Sequence, residues 1–410
     1  MRILLASSAS HVPPRGGSTR SNLAWLDALA SHGHTCRVVA GELTASTSEK
    51  RAEIREETED QAAGPATYQL YAIADPVKRA AALTEQIHEF QPDWVLVSSE
   101  DIGQALMRAA HEAARGRVVY LAHTPQFYPF GPASWSPDRE GAELVANSAA
   151  VIAIGHHTAE YIRTHLGRRA EVIHPPIYGD GPFPRFASGE WITMINPCAV
   201  KGISIFLPLA RLFPRLHFAA LPGWGTAAAD RRALGACSNA TVLHSCKHID
   251  EILRNTRILL VPSLWFEGFG LIVVEAMLRG IPVVASDAGG LVEAKLGTDF
   301  VIPVRPIERY DAVFDDQGLP RPLLPDQNLA PWAEAVEQLA GGGELYQRAS
   351  RAARDGATQF VSGQRPSRLE EFLLALEPAH PSAIREDPLT GLSPEKRALL
   401  LKRLRARSTE

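Results

Sequence analysis

Val261-Pro262-Ser263-Leu264-Trp265-Phe266-Glu267-Gly268-Phe269-Gly270-Leu271-Ile272-Val273-Val274-Glu275-Ala276-Met277 is the stretch that decides the fold. It opens as a buried-type strand ending at Ser263, and a helix is expected from about Phe269. Two glycines at that junction let backbone N–H groups approach a ligand closely, and the start of the helix favours an anion there. Glu267 stands just outside the helix start and Glu275 about two turns inside it. Eight residues turn a helix by a net angle of about 80°, so both carboxylates can address one elongated ligand. Carboxylates accept hydrogen bonds from hydroxyls, which suits a ligand with sugar hydroxyls at both ends of a diphosphate. A bare Gly-x-Gly is a weak sign, since Gly223-Trp224-Gly225 repeats it. The plainer account is a helix cap with a solvated glutamate.

Outward from this stretch, short apolar runs alternate with amphipathic helical segments, the pattern of a parallel sheet covered by helices. Residues 3–7, 36–40, 94–98, 118–122, 151–154 and 172–174 read as strands. The turn-rich His11-Val12-Pro13-Pro14-Arg15-Gly16-Gly17-Ser18 follows the first of them, and a helix is expected from about Asn22 with its stop at Gly33. Pro175-Pro176 and Gly179-Asp180-Gly181-Pro182-Phe183-Pro184 interrupt the alternation. It then restarts with strands at 192–195, 217–221, 258–261, 282–286 and 300–304. Two such repeats joined by a Pro-rich hinge predict two doubly wound α/β domains with their ligand in the cleft between them. The expected division is 1–177, a linker at 178–190, 191–355, helices at 356–378 that cross back to the first domain, and a linker with a basic helical tail at 379–410.

Composition narrows the function class. The chain has 410 residues, 45% hydrophobic and 21% charged, enough for two or three domains. Its 42 Lys+Arg against 46 Asp+Glu leave a net charge of −4, which argues against a nucleic-acid partner. No apolar run has the length of a spanning helix, and the start is too short to read as a signal peptide, so a membrane partner is not expected. Four cysteines without a CxxC pair fit a reducing cytoplasm. The charge-dense residues 50–60 read as a solvated helix or a loop without chemistry.

Glu267-Gly268-Phe269-Gly270 through Glu275-Ala276, followed by Gly280-Ile281-Pro282-Val283-Val284-Ala285-Ser286 and Gly289-Gly290-Leu291-Val292-Glu293, resembles the Glu-x7-Glu signature of retaining glycosyltransferases of family four. The resemblance implies a GT-B fold, two Rossmann-like domains facing across a cleft that holds a nucleotide-sugar donor. It implies that Gly16 and Gly17 approach the donor diphosphate and that Lys201 pairs with the phosphates. Glu267 would touch donor-sugar hydroxyls and Glu275 the ribose. The backbone of Gly268, Phe269, Gly270 and Leu271 would line the phosphates and ribose, and His123 would stand near the transferred sugar. His123, Lys201 and Glu267 are thus the catalytic candidates. Asn196 joins the donor-binding set as a departure, because the family usually has arginine there, five residues before the lysine. Arg15, Arg20 and Arg279 are candidates to replace that charge.

The implied reaction is transfer of a hexosyl or pentosyl group with retention, without a resident cofactor or metal; no D-x-D occurs in the chain. The nucleotide sugar is a co-substrate, a UDP-sugar being favoured. The departing phosphate would act as base, and His123 would orient sugar or acceptor. Lys201 read as a solvated lysine would hold little stability, so Lys201→Ala is expected to cost turnover rather than folding.

Other signals have bland readings. His244-x-Cys246-x-His248 with Cys237 upstream lacks a fourth paired ligand set and reads as loop residues; the resemblance implies that this connection lies near the nucleotide base, with backbone contacts from Ser245–Lys247 left unassigned. His156-His157 reads as the capping or surface pair of a helix start. Trp25, Trp94 and Trp224 read as packing residues, with the donor's border as the alternative for Trp224 between its two glycines. Thr124-Pro125-Gln126-Phe127-Tyr128-Pro129-Phe130-Gly131-Pro132 is a rigid aromatic loop whose rings either stack on an acceptor, which the resemblance implies binds on this side, or serve packing of the loop itself. In the tail, Leu392-Ser393-Pro394-Glu395-Lys396-Arg397 is similar to the short segment preceding condensation domains of nonribosomal peptide synthetases. That likeness points to a small-molecule or peptide acceptor such as a nonribosomal peptide or polyketide, and to an assembly-line protein as partner. Transfer in polysaccharide or glycolipid assembly, and a non-catalytic nucleotide-sugar-binding relative, are the rival readings.

Overall fold

The computed structural model describes residues 1–42, 53–54, 68–186, 189–246 and 248–379. The basic tail, Lys247 and most of residues 50–60 lie outside the described residues. The N-terminal lobe is built on an eight-stranded sheet of β1 (Arg2–Ser10), β2 (Thr35–Gly41), β3 (Glu53–Ile54), β4 (Gln69–Ala72), β5 (Trp94–Ser98), β6 (Val118–Ala122), β7 (Ala150–Ala153) and β8 (Glu171–Val172). Its order is β3-β4-β2-β1-β5-β6-β7-β8, parallel except for β3 against β4. The apolar run Ile3-Leu4-Leu5-Ala6 in β1 follows from this placement, since a strand covered on both faces has no side for water. Ile3 and Leu5 pack with Trp25 and Leu26 of the helix Gly17–Ser31, while Leu4 and Ala6 pack with Leu83 and Ile87 of the helix Pro76–Phe90.

The C-terminal lobe carries β9 (Trp191–Ile195), β10 (His217–Leu221), β11 (Ala240–Val242), β12 (Thr256–Val261), β13 (Val283–Ser286) and β14 (Val301–Ile302) in the parallel order β11-β10-β9-β12-β13-β14. Two Rossmann-like α/β lobes therefore face each other. A separate antiparallel hairpin, β15 (Tyr310–Phe314) and β16 (Pro320–Pro322), follows the second sheet. The helix Gly343–Ser362 precedes a last described helix, Arg368–Ala375, which lies on the N-terminal lobe. There the Trp94 indole donates to the Leu373 carbonyl at 3.1 Å, and Glu370 meets His34 at 2.8 Å. No helix among the described residues is long and apolar enough to cross a membrane.

Two helix starts differ from the sequence expectation, the first because its opening turn is polar and the second because Phe269 is a core residue that precedes the helix. The first helix begins at Gly17 rather than near Asn22, and the second at Leu271 rather than Phe269. Apolar periodicity marks only the core-facing turns. The first turn of the earlier helix, Gly17-Ser18-Thr19-Arg20, borders the cleft, and no apolar core side chain precedes Leu23 in this helix. A polar cap closes it instead, with the Gly16 N–H donating to the Thr19 hydroxyl at 3.1 Å.

Candidate active site

Between the lobes lies a cleft of about 800 Å³, walled by the carboxyl ends of strands from both sheets. On the C-terminal side the chain leaves β12 and turns through Glu267-Gly268-Phe269-Gly270 into the helix Leu271–Leu278. Gly270 caps that helix at φ +116°, a conformation that excludes ordinary side chains. Gly268 is required for a different reason. A Cβ there would stand 1.9 Å from the His123 carbonyl oxygen, so the motif backbone is pressed directly onto the N-terminal lobe.

The predicted donor-binding residues converge on this junction. A Cβ on Gly16 would lie 3.3 Å from the Trp224 ring, and one on Gly17 would lie 3.4 Å from Leu271. The glycine turn thus abuts the start of the C-terminal-lobe helix. Lys201 Nζ is 2.6 Å from Glu267 Oε1, and the Ser263 hydroxyl donates to the same oxygen. The ammonium also lies 4.5 Å from the centroid of Trp265 and 5.9 Å from that of Trp224. Its side chain is 18% exposed. Lys201 is therefore not the solvated lysine expected from sequence: a carboxylate and two rings hold it, and its removal bears on stability as well.

Glu275 is gripped from the opposite lobe. Arg20, on the first turn of the helix Gly17–Ser31, reaches it at 2.5 Å with one guanidinium nitrogen and 3.5 Å with the other. The charge of Glu275 raises the Arg20 pKa above its already high value. Of the three arginines considered as substitutes at Asn196, Arg15 and Arg20 line the cleft. Arg279 is instead tied to Asp250 at 2.8 Å. Asn196 itself braces a turn, because its Oδ1 accepts from the Gly225 N–H at 2.9 Å and the Thr226 hydroxyl at 3.3 Å. Those bonds pin Gly223-Trp224-Gly225 and place the Trp224 ring at the cleft.

His123 follows β6 and is 1% exposed, with Nε2 2.9 Å from Asn22 Oδ1. Burial holds its pKa below the ordinary histidine value, against an opposing pull from Glu100. The aromatic loop contributes Phe127, which with Trp135, Trp224, Trp265 and Tyr310 forms a chain of rings whose neighbouring centroids are 5.4–6.4 Å apart. Phe314, 64% exposed near the hairpin turn, borders the same cleft. Trp25 and Trp94 are buried in the N-terminal lobe. His156 and His157 open a helix whose N–H groups donate to Glu293 of the C-terminal lobe, at 2.7 Å and 3.3 Å. Cys237 is buried beside Asn239, and no cluster of three metal-type ligands occurs among the described residues.

Family models match each lobe in turn. Residues 15–178 match the model described as Glycosyltransferase Family 4, and residues 230–304 match Glycosyl transferases group 1. Each match spans less than half of the chain, so the two lobes resemble these glycosyltransferase models while the fold itself is GT-B. A curated relative, an uncharacterized 42.6 kDa protein in the cps region of Klebsiella pneumoniae, is 32% identical over 93 residues. That match spans 23% of this chain and 25% of the relative's length. Among solved structures, sucrose-phosphate synthase from Thermosynechococcus elongatus has a TM-score of 0.67 at 16% identity, covering 91% of this chain and 99% of that one. Anabaena HepE in complex with UDP has a TM-score of 0.58 at 16% identity, covering 92% and 100%. At such identity these structures share the fold.

Three cleft features escaped sequence reasoning. Glu100 follows the end of β5 as His123 follows the end of β6, so the strand-end rule was a usable signal for it. Trp265 lay inside the decisive motif but carried no marker of its role. The hairpin had no signal, since its second strand, Pro320-Arg321-Pro322, contains two prolines and no alternation.

Proposed function

We propose that the protein is a retaining glycosyltransferase that moves a hexosyl or pentosyl group from a nucleotide sugar to a hydroxyl of a small-molecule or peptide acceptor. The observation that carries this reading is the meeting of Lys201, Glu267, Glu275 and the Gly270 helix start in one interlobe cleft. Unpaired N–H groups at that helix start and the Lys201 ammonium would hold the diphosphate and stabilise the charge that grows as it departs. Glu267 would take hydroxyls of the transferred sugar and Glu275 those of the ribose. Each carboxylate already carries a cationic or hydroxyl partner that a ligand would have to displace or share. Arg20, released from Glu275, would then supply the second phosphate-binding cation that Asn196 does not.

In the transfer, the bond from anomeric carbon to diphosphate oxygen breaks with its electron pair on the leaving group. The acceptor oxygen bonds to that carbon from the same face, and its proton passes to the departing phosphate. The UDP complex of HepE and its UDP-glucose complex support a UDP-sugar as the first donor to test. A nonribosomal peptide or polyketide acceptor, delivered by an assembly-line protein in the cytoplasm, rests on the Leu392–Arg397 likeness in the tail.

The test is a panel of nucleotide sugars scored by rise in melting temperature and by slow hydrolysis. Wild type should respond to one nucleotide and release its sugar, and Glu267→Ala should bind but not turn over. Binding and turnover absent across the panel refute the enzyme reading; binding without turnover by wild type supports the non-catalytic relative.

A further inference from the structure

The hairpin of β15 and β16 concentrates exposed apolar side chains. Val313, Phe314, Leu323 and Leu324 are four of the ten large hydrophobic residues exposed among the described residues, and they fall within twelve positions. Single exposed hydrophobics need no explanation, but a cluster marks a contact surface. Phe314 is the member of the cluster that lines the interlobe cleft. Ile102, exposed beyond the end of β5, and the half-buried Phe127 of the aromatic loop line the same cleft from the N-terminal lobe.

The turn that carries Phe314 is built rather than loose. The Asp315 carboxylate accepts from the N–H groups of Gln317 and Leu319, each at 2.9 Å, and the Asp315 N–H donates to the Leu319 carbonyl at 2.9 Å. Gly318 closes the turn at φ +72°, and Leu319 is buried. Three contacts then hold the arm on both lobes. Asp316 Oδ2 accepts from the Ala228 N–H at 3.0 Å, at the start of the helix Ala228–Gly235. The Ile307 N–H donates to the Leu264 carbonyl at 2.8 Å, and the Tyr310 ring lies 5.6 Å from that of Trp135 in the N-terminal lobe. A side chain presented from a held turn leaves a ligand little ordering cost to meet.

We propose that Phe314, with Ile102 and Phe127 from the other lobe, forms an apolar platform for a flat ring of the acceptor, so that the hairpin selects acceptors by that ring. The inference rests on the glycosyltransferase reading and names an acceptor class for it. In the donor pose given above, diphosphate and ribose fall to Lys201, the Gly270 helix start and Glu275, with Arg20 close by. The hairpin is anchored instead at Leu264, Ala228 and Trp135, so the molecule that meets Phe314 is the second substrate. A ring suits the surface because Phe314 and Phe127 are themselves rings and pack against a flat partner face to face or by an edge.

Methyl, octyl and 2-naphthyl β-glucosides serve as probes, titrated into the full-length protein saturated with whichever of UDP, ADP or GDP it binds. Wild type should bind the naphthyl compound at least about ten-fold more tightly than the methyl one, the gain expected from covering one apolar ring. Phe314→Ser should bring that preference to within about two-fold, while its affinity for the free diphosphate stays within about two-fold of wild type. Phe314 is exposed, so the variant should unfold in urea as wild type does. Val313→Ser, exposed on the same hairpin but outside the cleft lining, should keep the preference. The proposal is overturned if wild type shows no preference, if a folded Phe314→Ser retains it, or if Val313→Ser loses it equally. Octyl glucoside bound as tightly as the naphthyl compound overturns the choice of a ring. A ten-fold loss of free diphosphate affinity in Phe314→Ser puts the nucleotide base on Phe314 and also overturns it. A wild-type protein that binds none of the nucleotide sugars overturns the glycosyltransferase reading beneath.

Discussion

Removal of Lys201 should reach both stability and turnover, and the geometry says by how much. At 2.6 Å from Glu267 Oε1, with side chains 18% and 12% exposed, the pair is largely withdrawn from water. Coulomb's law at an effective dielectric of 20 gives about 6 kcal/mol of attraction at that distance. Desolvation of two charges takes back several kcal/mol, leaving a net coupling of about 1–3 kcal/mol. A double-mutant cycle with Lys201→Met and Glu267→Gln, followed by denaturant unfolding, measures it directly. Lys201→Met alone should destabilise by about 2 kcal/mol, because it leaves the Glu267 carboxylate with the Ser263 hydroxyl as its remaining hydrogen-bond partner among the described residues. Repeating the cycle in saturating nucleotide diphosphate should shrink the coupling, since the ammonium then pairs with phosphate. Turnover should fall about 10²–10³-fold, the usual loss when one stabiliser of a developing anion is removed. A coupling below about 0.5 kcal/mol would refute the buried pair, since exposed ion pairs give that much. A coupling unchanged by nucleotide would refute the exchange of partners.

Three further outcomes follow from single contacts. Gly268→Ala puts a Cβ 1.9 Å from the His123 carbonyl, so unfolding should show a loss of about 2 kcal/mol or more, and small-angle scattering should show the lobes moved apart. Lys295, 2% exposed with its ammonium on the Val283 carbonyl, has its pKa pulled by burial down to about 7. The unfolded chain holds that proton up to about pH 10.4, so stability rises with pH through this window. Lys295→Met should therefore stabilise the fold by about 1–3 kcal/mol at pH 6 and by much less at pH 10; urea unfolding that shows equal gains at both would contradict the buried cation. Glu293 joins the lobes, accepting from two N–H groups of the helix His156–Leu166 and meeting His174 at 3.1 Å. Burial pushes its pKa up, but the His174 hydrogen bond and charge, with the His157 N–H, bring it below the ordinary value. Its stability contribution is thus full above about pH 4.3 and lost as pH falls through the lower folded value. Glu293→Gln should cost about 1–2 kcal/mol at pH 6, and the gap from wild type should close near pH 3; a gap independent of pH would sink the assignment.

What could be read from the chain beforehand divides along physical lines. Buried parallel strands announce themselves, because both faces must be apolar, and β5, β6 and β10 coincide with the expected residues 94–98, 118–122 and 217–221. The glycine-flanked helix start was legible for the same kind of reason: φ +116° at Gly270 and the close approach at Gly268 leave few alternatives to glycine. Contacts between residues hundreds of positions apart have no local signature. Arg20 and Glu275 are 255 residues apart, and nothing in either neighbourhood marks the other. Asn196 shows the limit most clearly. In the family pattern its position calls for a cation, and sequence alone presents a missing charge. In the fold, its side chain holds Gly225 and Thr226, and through them sets the Trp224 ring near the Lys201 ammonium. An arginine side chain has no acceptor and cannot make those two bonds, so restoring the family residue would remove the support of the turn. The departure is therefore coupled to the tryptophan wall of this cleft, and the charge it gives up is best sought on Arg20, across the cleft on the opposite lobe.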